Sequence, residues 1–404
     1  MNPALVDAID HLLAEGVAAQ PRPLFPGAVC AVDDGESSVV RYCGQAFRYA
    51  DGEGTLLPPE LREPVHADTR YDCASLTKLF TATMVMKLVE RGLLDLDDRV
   101  ATHLPEYRDA DKLQVTVRQL LTHTSGLPAE IFVWRDFSDQ RDRRAAVLGC
   151  ALEAPPGSQF RYSCVGYLTL GLLAERLTGM PLDRLVTDLV TGPLGLQATG
   201  YRPLDQLEVT SPIAATEIRP ISWSPQMSAM QAASVGGEGS SDHRGVVHDE
   251  NAASLDGIAG NAGIFADAAD LVRFGRAFLD GLIGTADDGG LGLTRAGVAA
   301  MLTPQLPRGL NAYQSGLGFR IDDVSFMGDL AGTSQAYGHT GFTGTSLVID
   351  GARNLVVALL TNRVHPTREW ADLNHFRRRL HSVVAASYPA RAETTSGRLP
   401  IAGG

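Results

Sequence analysis

Tyr71-Asp72-Cys73-Ala74-Ser75-Leu76-Thr77-Lys78-Leu79-Phe80 runs on through Thr81-Ala82-Thr83-Met84-Val85-Met86 to Arg91-Gly92. From Ser75 to Val89 the pattern reads as a helix apolar on nearly every side, and Gly92 supplies its stop. Such a helix belongs in a core. Ser75 and Lys78 then stand out, because they lie three apart on one face at the helix N-terminus. A serine hydroxyl is a poor nucleophile until a base takes its proton, and a desolvated lysine is able to take it. Arginine does not release its proton in proteins. Of 35 basic residues only Lys78, Lys87 and Lys112 are lysines. Lys87 and Lys112 read as ordinary solvated charges.

The 404 residues are 44% hydrophobic, ample for one large domain or two closely packed ones. A net charge of -12 and a pI near 5.3, without a basic stretch, argue against nucleic acid as a partner. The run Arg377-Arg378-Arg379 reads as the solvated face of a terminal helix. The N-terminal residues show neither a basic nor an apolar leader region, and no apolar run approaches 18 residues. The expectation is a cytoplasmic protein without a membrane partner. Five cysteines (Cys30, Cys43, Cys73, Cys150, Cys164) without a CxxC pair fit free thiols. No Cys/His ligand spacing suggests a metal site.

Outward from the central helix, residues 3–19 read as a surface helix. Gly27–Val32 and Ser38–Cys43 flank Asp33-Asp34-Gly35-Glu36 as a hairpin. Helical patterns follow at 116–128, 141–152 and 165–178. The stretch 222–244, rich in Ser, Gly, Ala and Met, reads as a mobile loop near a site. Helical periodicity resumes at 266–282. Ser315–Ile321, Thr345–Asp350 and Leu355–Asn362 read as strands between Gly-rich turns, before a helix over 369–388 and a frayed tail at 390–404. Strands joined by short turns imply antiparallel pairing. The expected class is α+β: an antiparallel sheet flanked by helices, formed by 1–74 and 190–404, with a mostly helical subdomain at 75–189 and the active site in the cleft between them.

Three segments together resemble one family: Ser75-Leu76-Thr77-Lys78, then Tyr162-Ser163-Cys164, then His339-Thr340-Gly341 opening a strand. They look like the active-site motifs of the serine β-lactamase and penicillin-binding protein superfamily, most similar to its class C β-lactamase and esterase branch. The segments 116–128, Val247–Ala252, Ile258–Phe265 and Thr361–Pro366 match the usual phrasing of that branch. The resemblance spans roughly residues 25–385 and implies a β-lactamase/transpeptidase-like fold.

It also implies roles. Ser75 would be the nucleophile, Lys78 its base or the electrostatic partner of the base, and Tyr162 the proton shuttle. The backbone N–H groups of Ser75 and Phe342 would form the oxyanion hole. Cys164, Thr340 and Gly341 would contact substrate. Two departures stand out. Cys164 occupies a position that usually holds Asn, which puts amide recognition in doubt, and His339 stands where lysine is commoner, which lowers the fixed positive charge facing a substrate carboxylate. The implied activity is a cofactor-free serine hydrolase, an esterase or amidase acting on a small-molecule acyl donor. The alternatives are a transacylase with an amine, alcohol or thiol acceptor, a β-lactamase or D-Ala-D-Ala carboxypeptidase, and a non-catalytic acyl- or ligand-binding sensor.

Overall fold

The computed structural model describes residues 2–205, 212–219, 244–283, 290–307, 310 and 313–390. The loop expected over 222–244, apart from Arg244, and the tail beyond 390 lie outside the described residues. In chain order the elements that frame the molecule are α1 (Pro3–Ala18), β1 (Gly27–Asp33), β2 (Ser38–Phe47), β3 (Glu63–Pro64), β4 (Tyr71–Asp72), α2 (Thr77–Glu90), α3 (Cys164–Thr178), β5 (Gly200–Tyr201), β6 (Ile264–Ala266), α4 (Ala268–Ile283), β7 (Gln314–Ser315), β8 (Arg320–Ile321), β9 (Ala336–Thr340), β10 (Ser346–Asp350), β11 (Leu355–Thr361) and α5 (Asn374–Ser387). Eight strands form one antiparallel sheet in the order β3-β2-β1-β11-β10-β9-β8-β7, and β4-β6-β5 form a small second one.

The hairpin is where the sequence places it. Asp33 pairs with Ser38, and Asp34 Oδ1 accepts from the N–H groups of Glu36 and Ser37 to close the turn. Strand β1 then pairs with β11, joining the two ends of the chain. Side chains alternate between two cores. Val29 and Ala31 of β1 with Val356 and Ala358 of β11 face one side, against α4 and α2, where Phe80 stacks on Phe274 at 4.3 Å. Cys30 and Val32 with Val357 and Leu359 face the other, against Leu5 and Ile9 of α1 and Phe376 and Leu380 of α5. A sheet covered on both faces explains why β1 and β11 are continuous apolar runs.

Between Asp72 and Gly200 the chain holds helices and no strand of either sheet. The whole stretch Thr77–Leu88 of α2 is buried, and the core around it extends from these helices onto the inner face of the sheet. The central helix begins slightly later than expected, after a 3-10 turn over Ala74–Leu76. Two lysines differ from the sequence reading. Lys87 is buried, and so is Lys112, whose ammonium donates to the Leu148 carbonyl (2.8 Å) and lies over the Tyr107 ring (4.8 Å). All three lysines of the chain are therefore interior groups. None of the five cysteines is in a disulfide. Among the described residues no helix is long and apolar enough to cross a membrane.

Candidate active site

Ser75 sits in the 3-10 turn that starts α2, and the turn is strained. Ala74 has φ 45°, a left-handed conformation that costs a non-glycine residue roughly 1 kcal/mol. One helical turn on, the Lys78 Nζ donates to Ser75 Oγ (2.9 Å), to the Asn261 carbonyl (3.0 Å) and towards Cys164 Sγ (3.7 Å). Helix α2 is pinned to the Gly260–Ile264 segment on the same side, through Thr81 Oγ1 to the Gly260 carbonyl (2.8 Å) and the Ile264 N–H to Thr77 Oγ1 (3.1 Å). Gly260 must be glycine for this approach, because a Cβ there would lie 2.1 Å from the Tyr167 carbonyl.

The second segment arrives at the start of α3. Ser163 caps that helix by accepting from the Gly166 N–H (3.1 Å), and its hydroxyl donates to the Pro128 carbonyl (2.6 Å). Tyr162, just before the cap, packs between two histidine rings, His123 at 4.5 Å and His339 at 5.8 Å. Its ring lies 5.1 Å from the Lys78 ammonium. Burial drives the pKa of both histidines well below the usual range, helped by Lys78 and Arg320. His339 Nδ1 donates to the Thr340 carbonyl (2.7 Å), so Nε2 is left as an acceptor.

His339, Thr340 and Gly341 do not open a strand; His339 and Thr340 close β9, and Gly341 begins the turn to β10. The pattern Ala336-Tyr337-Gly338 carries too little β signal to reveal the strand before the motif. Gly341 lies so close to the nucleophile turn that a Cβ would stand 2.0 Å from Thr345 Oγ1 and 2.5 Å from the Cys73 carbonyl. Gly341→Ala is therefore expected to push the two turns apart, lowering stability by about 1–3 kcal/mol and slowing acylation of Ser75. Chemical denaturation and labelling with a serine-reactive fluorophosphonate on one preparation check both effects.

Ser75, Tyr162, Thr340, Gly341 and Phe342 line one cavity of about 420 Å³, and Lys78 and His339 are buried. Lys78 departs from the expected direction. Burial does pull its ammonium down, but Cys164, Tyr162 and Asp249 act the other way and prevail, so its pKa lies above the ordinary lysine value. Burial pushes the Cys164 thiol up, against the pull of Lys78, and keeps it protonated.

Sequence reasoning missed the arginines. Arg320, Arg363 and Arg377 line the same cavity, against one lining carboxylate, Asp372. Arg377 is buried rather than solvated, donating to the carbonyls of Gly341 and Thr345 (both 2.9 Å) and to Asn374 Oδ1 (3.0 Å). Burial and the neighbouring Arg363 lower its pKa to about 9. Among the described residues neither Arg363 nor Arg377 has a carboxylate within ion-pair distance, whereas Arg320 pairs with Asp323 (3.1 Å). The sequence signal for Arg377 was its place three residues after Asn374 on one helix face, which the triple-arginine run obscured. Among the described residues no cluster of His, Cys, Asp and Glu is arranged to hold a metal ion.

Comparison with known proteins gives the family and the fold. A family model described as Beta-lactamase matches residues 9–382. An N-acetylmuramyl-L-alanine amidase of Bacillus subtilis is 32% identical over 378 residues, covering 88% of this chain and 80% of that protein. A protein of Escherichia coli with the provisional name D-alanyl-D-alanine carboxypeptidase is 32% identical over 345 residues, 80% of this chain and 74% of its own length. Among solved structures, a class C beta-lactamase mutant superimposes with a TM-score of 0.70 at 19% identity, covering 95% of this chain and 97% of that one.

Proposed function

The chain belongs to the beta-lactamase family of serine hydrolases and acyltransferases, and on that premise we propose that it is an acyl-enzyme hydrolase that cleaves small amides or esters carrying an anionic group. The observation behind the chemistry is the 2.9 Å contact between Lys78 Nζ and Ser75 Oγ at the wall of the cavity. Lys78, whose pKa lies above the ordinary lysine value, is in this reading the electrostatic partner of the base. Reacting as the phenolate beside the Lys78 ammonium, Tyr162 takes the Ser75 proton as Oγ attacks the carbonyl, and the phenol so formed gives the proton to the leaving atom. The N–H groups of Ser75 and Phe342 hold the developing oxyanion, worth about 3 kcal/mol per donor. Water then resolves the acyl-enzyme by the reverse proton route.

The anionic group follows from charge. His339 is neutral, so the positive charge that a lysine would supply at that position is missing. Arg320, Arg363 and Arg377 restore it from other elements, and this weakens the case against carboxylate-bearing substrates that the motif sequence alone suggested. A buried guanidinium without a carboxylate is expensive until an anion arrives. We expect aryl esters whose leaving group carries a meta-carboxylate to be cleaved with a kcat/KM at least 10-fold above that of the uncharged ester, about 1.4 kcal/mol. Arg320→Gln should shrink that ratio severalfold. The ratio, unlike the absolute rate, is insensitive to general damage at the site, and equal rates on both esters in the wild type would remove the anion-binding reading. Adding a millimolar amine to the same assay separates hydrolysis from acyl transfer.

A further inference from the structure

The proposed mechanism leaves one buried carboxylate beside the nucleophile without a task. Asp72 is 2% exposed, and its oxygens are divided between two segments. Oδ1 accepts from the Ala74 N–H (2.7 Å), and Oδ2 accepts from the His248 N–H (2.6 Å). Its own backbone carbonyl accepts from Thr343 Oγ1 (2.6 Å), and the next carbonyl, of Cys73, accepts from Thr345 Oγ1 (3.1 Å). The first bond is an Asx turn, which closes a side chain onto the backbone two residues on and supports the left-handed Ala74. The second fixes the backbone of His248, whose ring stacks on Phe342 at 5.6 Å and 23°. Arg363 lies 4.6 Å from the Phe342 ring and donates to the Phe342 carbonyl (2.8 Å).

We propose that Asp72 is a positioning residue: its carboxylate sets the turn that presents Ser75 and, through His248, the turn that presents the Phe342 N–H, and so fixes the spacing of the two oxyanion donors. The proposal rests on the acyl-enzyme reading above. Thr343 and Thr345 also join the two turns, at backbone carbonyls, whereas the Asp72 side chain holds backbone N–H groups. A simple scaffold role accounts poorly for an acid here. Burial raises Asp72 to about 6, against the pull of the two N–H groups, so the folded chain holds the proton more tightly than the unfolded one and its ionisation weakens folding as pH rises from about 4 to 6. The charged form is kept at a loss of stability. The titratable and charged groups facing it are His248, lowered to about 4 by burial, Asp249, raised by burial, Arg219, and Cys73, raised by burial.

Asp72→Asn tests this, because an amide accepts from one N–H but turns a donor towards the other. The chain is labelled with a fluorophosphonate, the adduct is read by 31P NMR, and amide exchange is followed at residues 74 and 248. The expected result is a labelling rate lower by 10-fold or more, a shifted phosphorus resonance and faster exchange at the amide that loses its acceptor, with KM for an aryl ester within threefold and a melting point a few degrees lower. The acid limb of the wild-type rate near pH 6 should disappear; its persistence in Asp72→Asn would assign it to Asp249. Labelling within twofold of wild type, with an unmoved resonance, overturns the inference. If the wild type itself is not labelled, the acyl-enzyme reading falls, and unchanged exchange at both amides then overturns the Asp72 role separately. If the variant does not fold, the wild-type acid limb decides, since it must track the Asp72 carboxyl resonance.

Discussion

Ser75→Ala is expected to abolish covalent labelling and to lower ester hydrolysis by about 10⁴-fold, leaving the fold intact. Ser75 is only partly buried and, among the described residues, its Oγ bonds only to Lys78, so removing it opens no large cavity. What disappears is the atom that bonds to the acyl group. Cys164→Asn is the matched control, because Cys164 Sγ lies 3.7 Å from the same amine and is the other nucleophile in reach. Its thiol is held protonated by burial, so it has little thiolate to offer. The asparagine variant should therefore keep labelling within about 10-fold of wild type. Intact mass of both variants after fluorophosphonate treatment decides the matter: an adduct on Ser75→Ala but not on Cys164→Asn would transfer the nucleophile to Cys164.

That assignment was legible because the nucleophile and its amine are local, three residues apart on one helix. The sheet was legible for a similar reason: turn chemistry at Asp34-Gly35 and continuous apolar runs at β1 and β11 are short-range signals, and the alternation of their side chains between two cores followed. What escaped is long-range. Arg377 looks solvated in a triple-arginine run, and only the approach of α5 to the carbonyls of Gly341 and Thr345 turns it inward. Lys112 reads as a surface charge until Leu148 and Tyr107 close over it. Asp72 is one acid in a two-residue strand, and nothing local distinguishes a carboxylate that bridges two turns from one that faces water. The pKa of Lys78 belongs to the same class. Burial alone lowers a lysine, as the helix pattern implied, but the outcome depends on Cys164, Tyr162 and Asp249, which arrive from elsewhere in the chain.

The direction of that shift makes the second large prediction. If Lys78 supplies charge to Tyr162 and does not itself accept the proton, Lys78→Met and Tyr162→Phe remove two halves of one device. Each is expected to lower kcat/KM by about 10³-fold, or 4 kcal/mol, and the double variant to lose little more than either single one, because the charge has no purpose without the phenol it supports. If Lys78 were an independent base, the losses would multiply. Stability adds a second discriminator. Methionine matches the length of the lysine stem and carries no charge to desolvate, which offsets part of the loss of the donor to the Asn261 carbonyl and to Ser75 Oγ, so the exchange at a fully buried site should cost folding about 1–3 kcal/mol. A variant that stays folded at the assay temperature while losing acylation places Lys78 in the chemistry. Rate losses that multiply in the double variant would instead return the proton to the lysine, and Tyr162 would then serve only the leaving atom.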